Sequence, residues 1–167
     1  RAENLLALDA ILEPLGERTI RAHSGDEALK CLLTDDFAVI LLDVQMPGLN
    51  GFETAELIKS RERTRYVPII FLTAISKDEA YVFRGYSAGA VDYVFKPYDP
   101  GILRSKVSVF LELDAASRAA KRNEALMRAA FDHAPTGMAR LDLDYRISEV
   151  NRALADLLGR RRNDLRD

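Results

Sequence analysis

The stretch FAVILLD (residues 37–43) decides the fold class, because six apolar side chains follow one another and end at the carboxylate of Asp43. A strand buried on both faces of a parallel sheet has this continuous apolar pattern, whereas a strand with one solvated face alternates. Two further apolar runs follow, VPIIFLT (residues 67–73) and VDYVF (residues 91–95). These runs predict three strands of one parallel sheet.

Helical patterns alternate with the strands. Residues 4–15 carry leucine and isoleucine at three-to-four spacing and are followed by Gly16, which predicts a helix with a glycine stop. A short strand is predicted next, at about residues 19–22. The later helices are predicted to begin at capping residues, namely Ser24 with Glu27, Asn50 with Glu53, Ser76 with Glu79, and Asp99 with Pro100. This alternation predicts an α/β fold, a doubly wound parallel sheet with helices on both faces.

Three polar residues stand at the ends of the apolar runs. Asp43 and Thr73 end their strands, and Lys96 directly follows the third. Sites of doubly wound sheets lie at the carboxyl ends of the strands, so we expect these side chains to converge. A carboxylate nucleophile with a hydroxyl and an ammonium donor suits phosphoryl chemistry. The alternative, a helix-capping Asp and a solvated Lys, would require a coincidence at three successive strand ends.

Composition restricts the other function classes. The 167 residues are 48% hydrophobic, enough for one or two domains, and no apolar run or basic leader predicts a membrane span or secretion signal. A cytoplasmic protein is therefore expected. Residues 1–100 carry 11 basic and 16 acidic side chains, which argues against binding of nucleic acid. Cys31 stands alone and no Cys/His cluster has zinc-ligand spacing, so neither an internal disulfide nor a structural zinc is predicted.

Three segments together resemble the receiver domain of two-component response regulators: LLDVQMPGLNGFE, PIIFLTA and FKP. The resemblance covers residues 1–113 and implies the flavodoxin-like form of the doubly wound sheet. It also implies roles for individual residues: Asp43 as phosphoacceptor, Thr73 as switch hydroxyl, Lys96 as active-site lysine, Tyr93 as the aromatic that changes rotamer, and a cis Lys96–Pro97 peptide. The implied phosphoryl donor is a histidine kinase or a phosphotransfer protein.

The resemblance further implies a Mg²⁺ ion, held by the Asp43 carboxylate, the backbone carbonyl of Gln45 and an acidic pair that ends the first strand. The sequence begins at the first helix, and neither Glu3 nor Asp9 stands at the place of that pair. Either the native protein lacks the acidic pair, or this chain omits a preceding segment that contains it. The absence of an initial Met favours omission, and weakened metal binding is expected for the chain as given.

The remainder of the chain predicts a connector and a second domain. A helical pattern runs on from Val109 to about residue 131 without Gly or Pro, and residues 114–130 are predicted to be a helical linker. Its alanine-rich seam allows either a coiled-coil homodimer or a solvated connector. Residues 131–167 resemble the start of a PAS domain, with an entry helix, two strands and a helix beginning at Asn151. Tyr145 stands where a turn glycine is usual, so a looser hairpin is expected.

The leading hypothesis is therefore a phosphorylation-dependent switch that relays its state through the linker to PAS and output domains of the same parent chain, and is not itself an enzyme. An aspartyl-phosphate phosphatase would need a second Asp two residues after the nucleophile, where Gln45 stands. A receiver-like interaction module that works without phosphate is the remaining alternative.

Overall fold

The structure, a computed structural model, describes residues 2–74 and 92–165 and, for residues 2 and 3, the backbone alone. The chain divides into two compact units, Arg1–Asp114 and Ala115–Asp167. Within the described residues, no helix is long and apolar enough to cross a bilayer. The helix predicted from Ser76 and Glu79 falls outside them.

The first unit contains a three-stranded parallel sheet. Its helices are α1 (Ala2–Leu12), extended by a 3-10 turn (Glu13–Leu15), α2 (Gly25–Thr34), α3 (Gly51–Ser60) and α4 (Pro100–His133), which continues into the second unit. Its strands are β1 (Ile40–Asp43), β2 (Ile69–Thr73) and β3 (Asp92–Phe95), in the order β1-β2-β3. The predicted strands are present, with later starts in the first two.

The sheet separates two hydrophobic cores, which confirms the doubly wound arrangement. On one face Phe71 packs with the helix residues Leu32 and Ile58. On the other face Ile70 and Leu103 pack together. All five residues of β2 are buried, as expected for a central strand whose two faces are both covered by helices.

Local capping chemistry sets the helix ends largely as predicted. Asn50 and Glu53 form a complete capping box at α3. At α2, Ser24 accepts the N–H of Glu27, but the Glu27 carboxylate accepts the N–H of His23 rather than that of Ser24. After the 3-10 turn that follows α1, Gly16 adopts a φ of +71°, the left-handed conformation that favours glycine.

The predicted strand at residues 19–22 is wrong, because this segment is irregular. In the described residues the parallel sheet consists of β1, β2 and β3, and none of these strands pairs with residues 19–22. Extended backbone without a neighbouring strand has no ladder of hydrogen bonds to join. An ion pair between Arg21 and Asp9 instead connects the segment to α1.

The second unit contains the end of α4 and a small antiparallel hairpin. Strands β4 (Ala139–Leu141) and β5 (Ile147–Val150) pair, and they are followed by α5 (Arg152–Leu158) and a 3-10 turn (Arg162–Leu165). The predicted helix at Asn151 is confirmed, since the Asn151 side chain caps α5. The predicted entry helix is not a separate element: α4 runs to His133 without a break, because no Gly or Pro occurs between Gly101 and Pro135.

The side chains of Asn151 and Asp142 make hydrogen bonds with the backbone of the hairpin and its flanks. Buried Asn151 accepts the N–H of Met138 and donates to the carbonyl of Thr136. Tyr145 has a φ of +61°, which explains why glycine is favoured at its position. The Asp142 carboxylate accepts the N–H groups of Asp144 and Arg146 within the turn, while the register of β4 and β5 shifts between Arg140 and Leu141, so the looser hairpin stays a prediction.

Candidate functional site

The three predicted site residues meet at the carboxyl edge of the sheet. Asp43 ends β1 and Thr73 ends β2, and the parallel register places Asp43 opposite Leu72. Lys96 directly follows β3, and its Nζ lies 2.5 Å from Oδ2 of Asp43. The chain therefore brings a carboxylate and an ammonium separated by 53 positions into direct contact.

The backbone around Lys96 directs its side chain toward Asp43. The Lys96 N–H donates to the carbonyl of Thr73 over 2.7 Å, which extends the pairing of β2 and β3 by one residue. The next peptide, Lys96–Pro97, is cis as expected. The side chains of Lys96 and Asp43 are 24% and 29% exposed, so solvent reaches the pair and screens it in part.

The loop after β1 holds the second oxygen of Asp43. The N–H of Gln45 donates to Oδ1 over 3.0 Å, and the N–H of Val44 donates to the carbonyl of Leu72. Gly51, at the start of α3, lies in close contact with the backbone of Asp43, and a Cβ at Gly51 would lie 2.4 Å from the carbonyl oxygen of Asp43. Only glycine permits this approach, so α3 and the carboxylate are positioned together.

Thr73 and Tyr93 are both buried within the sheet. Thr73 is 5% exposed and Tyr93 is 8% exposed. The Tyr93 ring lies 5.5 Å from that of Phe71 and stacks on that of Phe95 at 6.5 Å between centroids. Tyr93 therefore occupies an inward position, in the hydrophobic core that β2 shares with α2 and α3.

Sequence reasoning missed Tyr98, which also senses the charge of Asp43. Tyr98 is half-buried and packs against the core of Ile70 and Leu103. Burial raises the pKa of its phenol above the ordinary value of 10.0, and the negative charge of Asp43 raises that pKa further. The sequence signal that could have identified Tyr98 was its position two residues after Lys96, because residues that directly follow β3 lie near the edge of the sheet where the site is.

The donor set falls short of a complete magnesium site. Asp43 and the Gln45 carbonyl are present, as expected, but both oxygens of Asp43 accept hydrogen bonds from protein donors. Among residues 2–74 and 92–165, no group of three His, Cys, Asp or Glu side chains could hold a metal ion. Mg²⁺ takes six oxygen ligands and usually keeps several waters, and one carboxylate supplies little of the charge it needs. The described residues alone therefore do not fit the ion.

Comparison with known proteins assigns the family. The model of the response regulator receiver domain matches residues 2–108, which is more than half of the chain. The chain belongs to the response regulator receiver family. A PAS domain model matches residues 125–167, so the receiver domain is joined to a PAS segment in one chain.

The curated relatives include a probable phosphodiesterase and a sensor protein. A probable cyclic di-GMP phosphodiesterase of Vibrio cholerae is 41% identical over 91 residues, covering 54% of this chain and 20% of the relative. Virulence sensor protein BvgS of Bordetella bronchiseptica is 37% identical over 123 residues, covering 70% of this chain and 9% of the relative. The chain spans 9–57% of the lengths of the curated relatives it matches.

Solved receiver domains share the fold. One is the receiver domain of a sensor histidine kinase from Pseudomonas aeruginosa, described with a magnesium ion coordinated in the active site cleft. It is 28% identical, with a TM-score of 0.61, and the match covers 67% of this chain and 91% of that domain.

Proposed function

We propose that this receiver accepts a phosphoryl group on Asp43 from a phosphohistidine of a histidine kinase or phosphotransfer protein, and relays the change through α4 to PAS and output domains of its parent protein. One observation carries the proposal: the Asp43 carboxylate lies at the sheet edge with Nζ of Lys96 at 2.5 Å. A carboxylate held beside a cation is the arrangement that an in-line phosphoryl acceptor needs.

The transfer step balances with the groups at hand. One carboxylate oxygen of Asp43 attacks phosphorus and forms the P–O bond of an acyl phosphate. The P–N bond breaks, and its electron pair stays on the imidazole nitrogen of the donor. Lys96 offsets the charge of the incoming phosphoryl oxygens, because its ammonium already touches Oδ2. No proton has to leave Asp43 in this step, since the carboxylate attacks as an anion.

The relay begins at residues that lie beside the acceptor. The added phosphoryl charge would attract the hydroxyl of Thr73, which ends the neighbouring strand. Movement of Thr73 would change the space available to Tyr93, whose ring packs against Phe71 and Phe95. Tyr93 and Lys96 belong to the strand and loop that lead directly into α4, so a shift there reaches the connector helix.

Intact mass measurement tests the acceptor. We expect the native-length protein, incubated with acetyl phosphate and Mg²⁺, to gain the mass of one phosphoryl group that is lost on treatment with hydroxylamine, as an acyl phosphate is. Asp43→Asn removes the acceptor oxygen and should abolish the gain, whereas Asp92→Asn, a change of the same chemistry at the base of β3, should not. A native protein that gains no mass, or Asp43→Asn protein that gains it, would contradict the proposal.

If the native protein lacks the acidic pair, the best alternative is a receiver that binds partners without phosphate. Such a protein would interact equally well before and after treatment with acetyl phosphate. Partner binding that is identical for wild type and Asp43→Asn would support this alternative.

A further inference from the structure

We propose that the hydroxyl of Tyr98 faces Asp43 and donates a hydrogen bond to the phosphoryl group that Asp43 carries after transfer. The inference rests on the proposed function and adds a binding group to the same site. Its support comes from the face of the sheet on which Tyr98 lies, from the packing of its ring and from its position two residues after Lys96.

The hydrophobic cores show to which face of the sheet Asp43 points. The core of Ile70 and Leu103 also receives side chains of α1 and of the first part of α4, and we call the face that it covers the α4 face. Successive side chains of a strand point to opposite faces. Leu41 packs on the α4 face, so Asp43, two positions later in β1, points to the α4 face as well.

Lys96 and Tyr98 lie on the same face. Val94 of β3 is buried in the core of the α4 face, and Lys96 stands two positions after it. The ion pair between Lys96 and Asp43 agrees with this orientation, because two side chains in contact must share a face. Tyr98 follows after two further positions, and its ring packs against the same core. The carboxylate, the ammonium and the phenol are therefore on one side of the sheet, at its carboxyl edge.

The Tyr98 side chain has an apolar part in the core and a polar end that needs a partner. Tyr98 is half-buried, and packing of the ring restricts the directions in which its hydroxyl can point. Burial, and after it the charge of Asp43, raises the pKa of the phenol. The phenol therefore keeps its proton, and a protonated phenol can donate to a phosphoryl oxygen.

A phosphoryl group on Asp43 would need more donors than the carboxylate has. In the structure the N–H of Gln45 donates to Oδ1 and the ammonium of Lys96 donates to Oδ2. A phosphoryl group adds negative charge and three strong acceptor oxygens. A hydrogen bond from a neutral donor to such a charged acceptor is stronger than one between neutral groups. The hydroxyl of Tyr98 is a further donor on the face to which Asp43 points.

Beryllofluoride, which binds a carboxylate oxygen in the shape of a phosphoryl group, tests the contact. Its affinity for the native-length protein is measured by ¹⁹F NMR in the presence of Mg²⁺. Tyr98→Phe keeps the ring and removes only the hydroxyl. We expect it to weaken binding about three- to tenfold, because a hydrogen bond to a charged group is lost in a partly solvated place.

Tyr66→Phe is the matched control. It also removes one phenolic hydroxyl, but Tyr66 is 79% exposed and precedes β2, at the opposite edge of the sheet. This variant should bind beryllofluoride like wild type. Equal affinities of wild type and Tyr98→Phe would overturn this inference and leave the proposed function standing. A wild type that binds no beryllofluoride would count against both.

Urea denaturation tests the orientation of the hydroxyl without any phosphoryl group. In a double-mutant cycle of Tyr98→Phe and Asp43→Asn, the effects on the free energy of unfolding should not add, because the hydroxyl faces the carboxylate. The same cycle with Tyr66→Phe should be additive. If the effects of Tyr98→Phe and Asp43→Asn add as well, the hydroxyl points elsewhere and the inference is wrong.

Discussion

At the scale of single residues, Tyr98 connects the hydrophobic core to the charge of Asp43. Its ring packs with the core of Ile70 and Leu103, while its phenol feels the carboxylate. A neutral phenol beside an anion resists losing its proton, because the phenolate would add a second negative charge in a half-buried place. Tyr98 is therefore a native reporter of the charge at the acceptor.

We expect the pKa of Tyr98 to fall in Asp43→Asn and yet to stay above 10.0, since burial is the larger cause of its elevation. Ultraviolet difference titration, with Tyr98→Phe to isolate the signal, measures this. The pKa of Tyr98 is higher in the folded state than in the unfolded state. The contribution of the neutral phenol to the free energy of unfolding is therefore full below pH 10.0 and is lost as the pH rises through the folded-state pKa. Superimposable Tyr98 titrations of wild type and Asp43→Asn would show that the carboxylate has no influence.

At the scale of elements, the hairpin of β4 and β5 contains a residue, Tyr145, whose backbone conformation is unfavourable for a non-glycine residue. Tyr145 has a φ of +61° and is 86% exposed, so its ring offsets little of the cost by packing. The left-handed region costs a non-glycine residue about 1–2 kcal/mol. The Asp142 side chain keeps the turn closed despite that cost by accepting two backbone N–H groups.

Tyr145→Gly should therefore stabilise the hairpin by roughly 0.5–1 kcal/mol, the relief of strain reduced by the greater unfolded-state freedom of glycine. Urea denaturation followed through NMR signals of β4 and β5 would measure the change. Tyr145→Ala also removes the ring but keeps the unfavourable conformation, and should give no comparable gain. If alanine stabilises as much as glycine, backbone strain is not the cause.

At the scale of the whole molecule, we expect the protection of backbone amides from hydrogen exchange to depend on their position in the sheet. Residues 70–72 lie in the central strand between two covered faces, and Ile70 and Phe71 are fully buried. Residues 19–22 belong to no strand of the described structure. Native-state hydrogen exchange should therefore be slowest for the amides of residues 70–72 and fast for those of residues 19–22. Strand-like protection of residues 19–22 would mean that the segment has a pairing partner.

The sequence by itself determined the alternation of strands and helices, because apolar periodicity and capping chemistry act between residues a few positions apart. It also placed Asp43, Thr73 and Lys96 at strand ends, and so at one edge of a parallel sheet. These signals remain readable without any long-range contact. The roles of the three residues in phosphoryl transfer stay predictions until the acceptor is tested.

Only the tertiary structure decided what depends on partners far along the chain. The fold places Nζ of Lys96 2.5 Å from Oδ2 of Asp43, and it packs Gly51 against the backbone carbonyl of Asp43. It also left residues 19–22 irregular, although their sequence suits a strand, because a strand exists only when another strand pairs with it. The influence of Asp43 on Tyr98 was decided in the same way, since the charge of Asp43 acts through space and its effect depends on where the fold places the two side chains.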